Sequence, residues 1–365
     1  MDKQVRKFLR DLRRASSVEP AWEVIDDWVR TRDLLRLRQA ASALTEPSAG
    51  TREPVDRSVW DYLVRKLSLT PALEFALVVR DVARLRDPAY LASLVASGQT
   101  VDVAERLVAK PEIKDEEFLA CLVQELALRE TAVEREPFVS LWRSLEAHRH
   151  PLAWLPLRLA EIELEPELPD YGERGTSYTI PFGPTDVDMN EPRADFVARI
   201  KRDITSPLEA DLCSKAFTDW LTNSNGKVDT HVLELDGELE ALPVAEALAE
   251  AGIDCLAGGG APRVVVADAT EAFRIAFAAA SLGGAYGHGS RGAYGRLHAW
   301  TTLAGLTGLG ADASLEAIAA AAEQTRWFRF ETDSGWFYGV AWDVGLMAYR
   351  TDEGALALLA ATDTD

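Results

Sequence analysis

The residue types best suited to chemistry gather in one stretch, GGAYGHGSRGAYGRLHAW, from Gly283 to Trp300, in which GAYG occurs twice. Glycine admits positive φ and lets a ligand approach the backbone closely. His288 is suited to proton transfer, and Arg291 and Arg296 are suited to holding an anion. One reading makes His288 a general base, Tyr286 or Tyr294 an acid, and Asp268 or Asp333 the carboxylate that orients the imidazole. A second makes Gly287, Gly289, Arg291, Gly292 and Arg296 a ligand-binding loop, since its glycines satisfy G-x-G-x-x-G ahead of a helix N-terminus that would attract an anion. A helix, not a strand, precedes these glycines, unlike a dinucleotide fingerprint. No Walker sequence and no Ser-His-Asp or Cys-His signature occurs.

Other candidates are weaker. Asp268 follows the strand-like RVVVA, where open α/β sheets place ligands, yet Asp268 or Thr270 serves equally as a helix cap. His148 and His150 bracket Arg149 with no further metal ligand nearby in sequence. DVDMNEP, residues 186–192, places oxygens at alternate positions but lacks the glycine and glutamate of a calcium loop. The aromatic residues Trp327 to Trp342 read as core before they read as a cage, and among them Asp343 must be exposed, paired or shifted in pKa. Cys121, Cys213 and Cys255 are far apart and form no C-x-x-C, so reduced thiols in the cytoplasm are expected, and no metal. No cofactor is implied.

The elements that must position these residues change character midway. Up to about residue 165, apolar spacing and recurrent prolines predict short helices over 2–14, 20–31, 33–44, 57–67, 71–85, 88–96, 101–109, 115–128, 135–147 and 152–162. These would form either an α-solenoid or an irregular bundle. ELEPELPDYGERG reads as a break, with the linker at 166–175. Beyond it, strands are expected at SYTIPFG, THVLEL and RVVVA. Helices are expected over 193–203, 208–221, 239–251, 270–282, from about 293, and over 315–325. A three-stranded antiparallel meander closes the chain, with turns at DSG and DEG. The fold class is α+β or α/β: a helical domain over 1–165, then a mixed α/β domain over 176–365.

Composition bounds the function. The chain of 365 residues carries a net charge of −20, unevenly spread: residues 1–168 have 25 basic against 29 acidic side chains, and residues 169–365 have 14 against 30. Such a field disfavours nucleic acid and anionic membranes and suits a cationic partner. The exception is the basic amphipathic segment Lys3 to Arg14, which reads as the solvated face of a first helix. Its acidic residues and lack of an apolar run argue against a signal peptide. No run is long and apolar enough to span a membrane.

The segments RGAYGRLHAW, WFYGVAWDVGLMAYR and LALLAATDTD resemble a domain family of unknown function found in high-GC actinomycetes. The resemblance covers about the last hundred residues and implies no activity or site residues. The preference for arginine, 31 against 8 lysines, fits a high-GC coding bias. The expectation is a cytoplasmic protein that binds a protein partner, with a small anion as a further possible ligand. The alternatives are a hydrolase- or transferase-like enzyme with its site at Gly283–Arg296, and a structural subunit of a larger assembly.

Overall fold

The computed structural model describes all residues except 46–52, 110, 165, 183–198, 237–247, 249–251, 260–261 and 365. Two compact units are formed. The first comprises Met1–Leu159 and Pro169–Tyr178, and the second Ala160–Leu168 and Thr179–Asp365. The chain therefore passes from the first unit into the second, returns, and leaves again. The acidic stretch read as a linker at 166–175 is divided between the two units.

The first unit holds α1 (Lys3–Leu12), α2 (Glu19–Arg30), α3 (Leu34–Thr45), α4 (Glu53–Leu69), α5 (Leu73–Ala83), α6 (Pro88–Gly98), α7 (Val101–Val108), α8 (Glu116–Leu128) and α9 (Phe138–Ala147). Each helix from α1 to α7 packs against the next but one. Within this unit every residue of α8 from Phe118 to Leu128 is buried, including Gln124 and Glu125. The last expected helix, 152–162, is replaced by two short 3₁₀ turns, Pro151–Trp154 and Glu161–Glu163. Pro156, in the interior of that span, removes a donor an α-helix would need and crowds the preceding turn.

The returning segment folds as a small hairpin, β1 (Asp170–Tyr171) with β2 (Thr176–Ser177), fastened by Arg65 from α4. Its guanidinium donates to the carbonyl oxygens of Gly172 (3.1 Å) and Gly175 (2.7 Å), to Thr176 Oγ1 (2.8 Å) and to Asp61 (2.8 Å). It also lies 5.7 Å from the ring centres of both Tyr90 and Tyr171. Only Thr176–Ser177 of the region around SYTIPFG is a strand, because the segment spends its backbone groups on this hairpin.

The second unit is built on a six-stranded sheet in the order β3-β4-β8-β7-β6-β5, from β3 (Arg199–Asp203), β4 (Lys227–Asp236), β5 (Arg263–Ala267), β6 (Arg326–Glu331), β7 (Val344–Arg350) and β8 (Ala355–Thr362). Every neighbouring pair is antiparallel. Of the two fold classes expected, α+β or α/β, the antiparallel sheet makes the fold α+β. All residues of β7 and β8 are buried, as central strands covered on both faces require. The meander is present, but residues 332–343 form a long loop where the aromatic run reads as strand.

Residues 199–203, expected as the end of a helix, form edge strand β3. The charges of RIKRD, unfavourable in a sheet centre, suit an exposed edge. The expected helix 208–221 is split into α10 (Pro207–Cys213) and α11 (Thr218–Asn223) by a 3₁₀ turn at Lys215–Phe217. Three more helices complete the described unit: α12 (Ala269–Leu282), α13 (Arg291–Leu306) and α14 (Leu315–Gln324). Most of the expected helix 239–251, all of 193–198 and the DVDMNEP loop lie outside the described residues.

His231 on β4 ties the β3 edge to the sheet: its ring bonds Asp203 (2.7 Å) through Nδ1 and Asp229 (2.9 Å) through Nε2. The bond to Asp229 is the main reason its pKa is pushed up to about 9, with Asp203 adding to it against the cost of burial. Burial opposes ionisation of both aspartates, but their hydrogen bonds prevail and hold both carboxyls below the usual range. The stabilisation from His231 is therefore complete below its ordinary value of 6.5 and is lost as pH rises through about 9. The aspartate contribution is lost only in acid. Between pH 7 and 10 the stability difference between wild type and His231→Asn should shrink by about 2 kcal/mol, read by denaturant unfolding. A difference that stays constant across this range would contradict the ion triad.

Candidate functional site

The glycine stretch joins two helices that pack closely. A Cβ at Gly295 would lie 2.6 Å from Ser281 Cβ, so α12 and α13 meet at a distance only glycine permits at that position. Asp268 caps the N-terminus of α12, accepting from the Glu271 N–H at 2.8 Å. The glycine loop begins at the other end of the same 14-residue helix. At 1.5 Å per residue that puts roughly 20 Å between Asp268 and the loop. Asp268 lies instead beside a depression of about 260 Å³ bordered by Val266, Ala269, Glu323 and Arg326. It cannot orient His288.

The loop is closed on the protein's own acids. The Ala285 N–H donates to Asp363 (2.7 Å), the Tyr286 N–H to Ser224 Oγ (3.1 Å) and the Gly289 N–H to Asp219 (3.2 Å). The Gly287 and Ser290 N–H groups donate to the carbonyl oxygens of Gly284 (3.2 Å) and Ala280 (2.7 Å). These anchors come from α11, from the turn before β4 and from the end of β8. Trp220, next to Asp219, is fully buried and donates through its indole N–H to the Ala279 carbonyl (3.1 Å), which fixes α11 against the end of α12. The glycines are required by this closure: a Cβ at Gly284 would lie 1.9 Å from an Asp363 oxygen, and one at Gly287 would lie 2.0 Å from an Asp219 oxygen.

An anion at the loop would meet two carboxylates where a phosphate cradle offers unspent N–H groups. Gly287 and Gly289 are accounted for by closure, and Gly292 is buried in the first turn of α13. Arg296 is corrected most sharply. It is fully buried and forms a forked pair with Glu163, Nε to Oε1 and Nη2 to Oε2, both at 2.6 Å. Trp300 Nε1 (2.7 Å) and the Ala160 N–H (2.7 Å) donate to the same carboxylate. That guanidinium is held away from any solvent-borne ligand.

His288 is exposed and has no hydrogen bond or ion pair among the described residues. Tyr286 is exposed, and Tyr294 is half-buried on α13. Arg291 opens α13 with a left-handed backbone, φ 63°. The structure therefore does not bring His288, Asp268 and Tyr294 together around one reacting atom. Asp343 is held structurally: it accepts from the Gly339 (2.8 Å) and Val340 (3.1 Å) N–H groups and from the Thr362 hydroxyl (2.5 Å). The potential aromatic cage is filled by Lys227, whose Nζ lies 4.3 Å from the Tyr338 ring centre and 5.4 Å from that of Trp336. His148 and His150 face Glu116 (3.4 Å) and Glu117 (3.1 Å) respectively, and no group of three metal-ligating side chains occurs among the described residues.

One pairing was missed by reading the motifs. Ser290 Oγ lies 3.4 Å from His298 Nδ1, and Tyr294 stands between them on the same helix with its ring centre 6.2 Å from that of the histidine. The signal was the spacing Ser290, Tyr294, His298, at i, i+4 and i+8, which puts all three on one helical face. The clamps Asp219 and Asp363 carried no local signal.

Gly284→Ala should destabilise the second unit by about 3 kcal/mol, since its Cβ meets a buried carboxylate, whereas His288→Ala should stay within about 0.5 kcal/mol of wild type. Denaturant unfolding of the two variants checks this. Equal effects would contradict a closed loop.

No helix among the described residues is long and apolar enough to cross a membrane. No curated protein and no solved structure matches the chain. Residues 19–365, which include both helical and sheet units from α2 onward, match a family of unknown function, DUF6183, and the chain belongs to that family.

Proposed function

We propose that this is a cytoplasmic interaction protein whose helical unit takes an apolar, basic helical segment of a protein partner into the groove between α1 and α2. The observation that carries this reading is the groove itself, about 550 Å³ in volume. Phe8 and Leu12 of α1 and Ala21 and Trp28 of α2 lie along it, with the Phe8 and Trp28 ring centres 5.2 Å apart. A trough between two helices, apolar at its base, is suited to a third helix laid along it.

Charge supports the class of partner. Glu23 and Asp27 rim the α2 side, and the one lysine at the groove, Lys7, is already paired with Asp11 at 3.3 Å. Along the groove the acids Asp11, Glu23 and Asp27 outnumber Lys7, although the segment Lys3–Arg14 that carries α1 is itself basic. A cationic segment is therefore drawn to this surface and an anionic one repelled. The glycine loop adds support, since the Ala285, Tyr286, Gly287, Gly289 and Ser290 N–H groups are occupied and the carboxylates of Asp219 and Asp363 close it. The three cysteines are buried, unpaired thiols, which supports placement in a reducing compartment.

Val24 lines the groove and is 36% exposed, so changing it alters the surface without opening the core. A fluorescently labelled 18-residue amphipathic helix of leucine and lysine is the probe, followed by anisotropy. Val24→Asp should weaken its binding about tenfold, equivalent to about 1.4 kcal/mol, and raised salt should weaken binding to wild type. Absence of binding to wild type, or equal binding to the variant, would contradict the reading.

A further inference from the structure

Ser290 stands immediately before α13, where a serine ordinarily spends its hydroxyl on the first-turn N–H groups. Ser206 and Ser314 do so ahead of α10 and α14, accepting from Glu209 and Ala317. Ser290 makes no such cap, and its hydroxyl is turned to His298 Nδ1 instead, at 3.4 Å. Burial, with the nearby charge of Lys215, brings His298 down to about 4. Its imidazole is thus neutral at physiological pH, and in the tautomer protonated on Nε2 the nitrogen that faces the serine carries a lone pair.

The backbone around Ser290 is held in an uncommon shape. Gly289 and Arg291, on either side, have φ of 59° and 63°. Arginine rarely adopts that conformation, and such strain gathers at sites that need a side chain aimed in one direction. The Gly292 N–H, in the first turn of α13, has no hydrogen-bond partner among the described residues. A nucleophile, a base and an unspent donor therefore lie within three residues and two helical turns of one another.

We propose that Ser290 and His298 form a nucleophile–base pair that hydrolyses an uncharged carboxylic ester. Ser290 Oγ bonds to the ester carbonyl carbon as its proton passes to His298 Nδ1, and the Gly292 N–H receives the oxyanion. The bond to the alcohol oxygen then breaks, and the imidazolium returns its proton to that leaving oxygen. Water attacks the acyl-serine by the same route in reverse, giving up its proton through His298 to Ser290 and releasing the acid. An ester is chosen over an amide because its carbonyl is the more electrophilic, and no carboxylate stands behind the imidazole among the described residues to strengthen the base. It is uncharged because the acids Asp219 and Asp363 and the bases Lys215 and Arg291 stand around the pair together, so neither sign of charge is favoured.

An alkyl fluorophosphonate probe tests this on the full chain. Ser290 Oγ would bond to phosphorus as fluoride leaves, and mass spectrometry locates the modified residue. The expected result is a single phosphonylated serine, Ser290, with no labelling of Ser290→Ala and labelling at least tenfold slower in His298→Gln. Val24→Asp should label at the wild-type rate, which separates this activity from binding at the helical groove. The map of the wild-type chain decides even if His298→Gln proves unstable. No label, label spread over other serines, or an unchanged rate in a folded His298→Gln would overturn the proposal.

Discussion

The buried pair of Glu163 and Arg296 is the interaction on which the second unit most depends. Both side chains are fully excluded from water, 133 residues apart in sequence, and the carboxylate accepts four hydrogen bonds. Desolvating two such ions costs several kcal/mol each, which forked geometry and full satisfaction of the oxygens can offset. The pair therefore constrains both sequence and fold. It draws Ala160–Leu168 into the unit, sets Trp300 beside it, and fixes the rotation of α13 on its axis. At the other end of α13, Arg350 donates to the Gly305 (2.7 Å) and Leu306 (3.0 Å) carbonyl oxygens. The helix that carries Ser290, Tyr294 and His298 is thus held at its middle and its C-terminus by buried arginines. Arg65 does the same work in the first unit, on the segment that follows.

Seen this way, the glycine loop owes its composition to electrostatic closure. Two carboxylates take N–H groups that would otherwise be available to a ligand, and glycine is needed because those oxygens approach within the space of a Cβ. The histidine that the loop displays, His288, is left in solvent. The histidine that is drawn inward, His298, loses its charge to burial and turns toward a hydroxyl. Position in the dielectric, more than residue type, separates a surface imidazole from one kept neutral beside a hydroxyl.

Much of the fold was legible because it is local. VGLMAYR and ALALLAAT are apolar runs of strand length and form the two central strands. RVVVA is a strand over the residues expected, and Asp268 is the cap that its position before ATEAF suggested. What could not be read rests on distant partners. RIKRD carries the charges of a solvated helix and becomes an edge strand through its pairing with β4. The acidic, proline-bearing stretch around Glu163 has the composition of a linker, yet it is held by an arginine far along the chain. Arg296 itself looked like an anion ligand because nothing near it in sequence showed that its anion is Glu163. Ser290 and His298 stand at helical spacing, but their approach depends on Ser290 not capping α13, which sequence does not reveal.

The most direct measurement is hydrogen exchange by mass spectrometry on residues 160–168, in wild type, in Arg296→Met and in the double variant Glu163→Leu/Arg296→Met. Removing one partner leaves a buried charge unpaired, at a cost of about 3–5 kcal/mol, whereas removing both restores an apolar interior. Protection of this segment should fall at least tenfold in Arg296→Met and recover most of that loss in the double variant. Protection within twofold of wild type in Arg296→Met would show that the pair does not hold the segment, and would contradict the account.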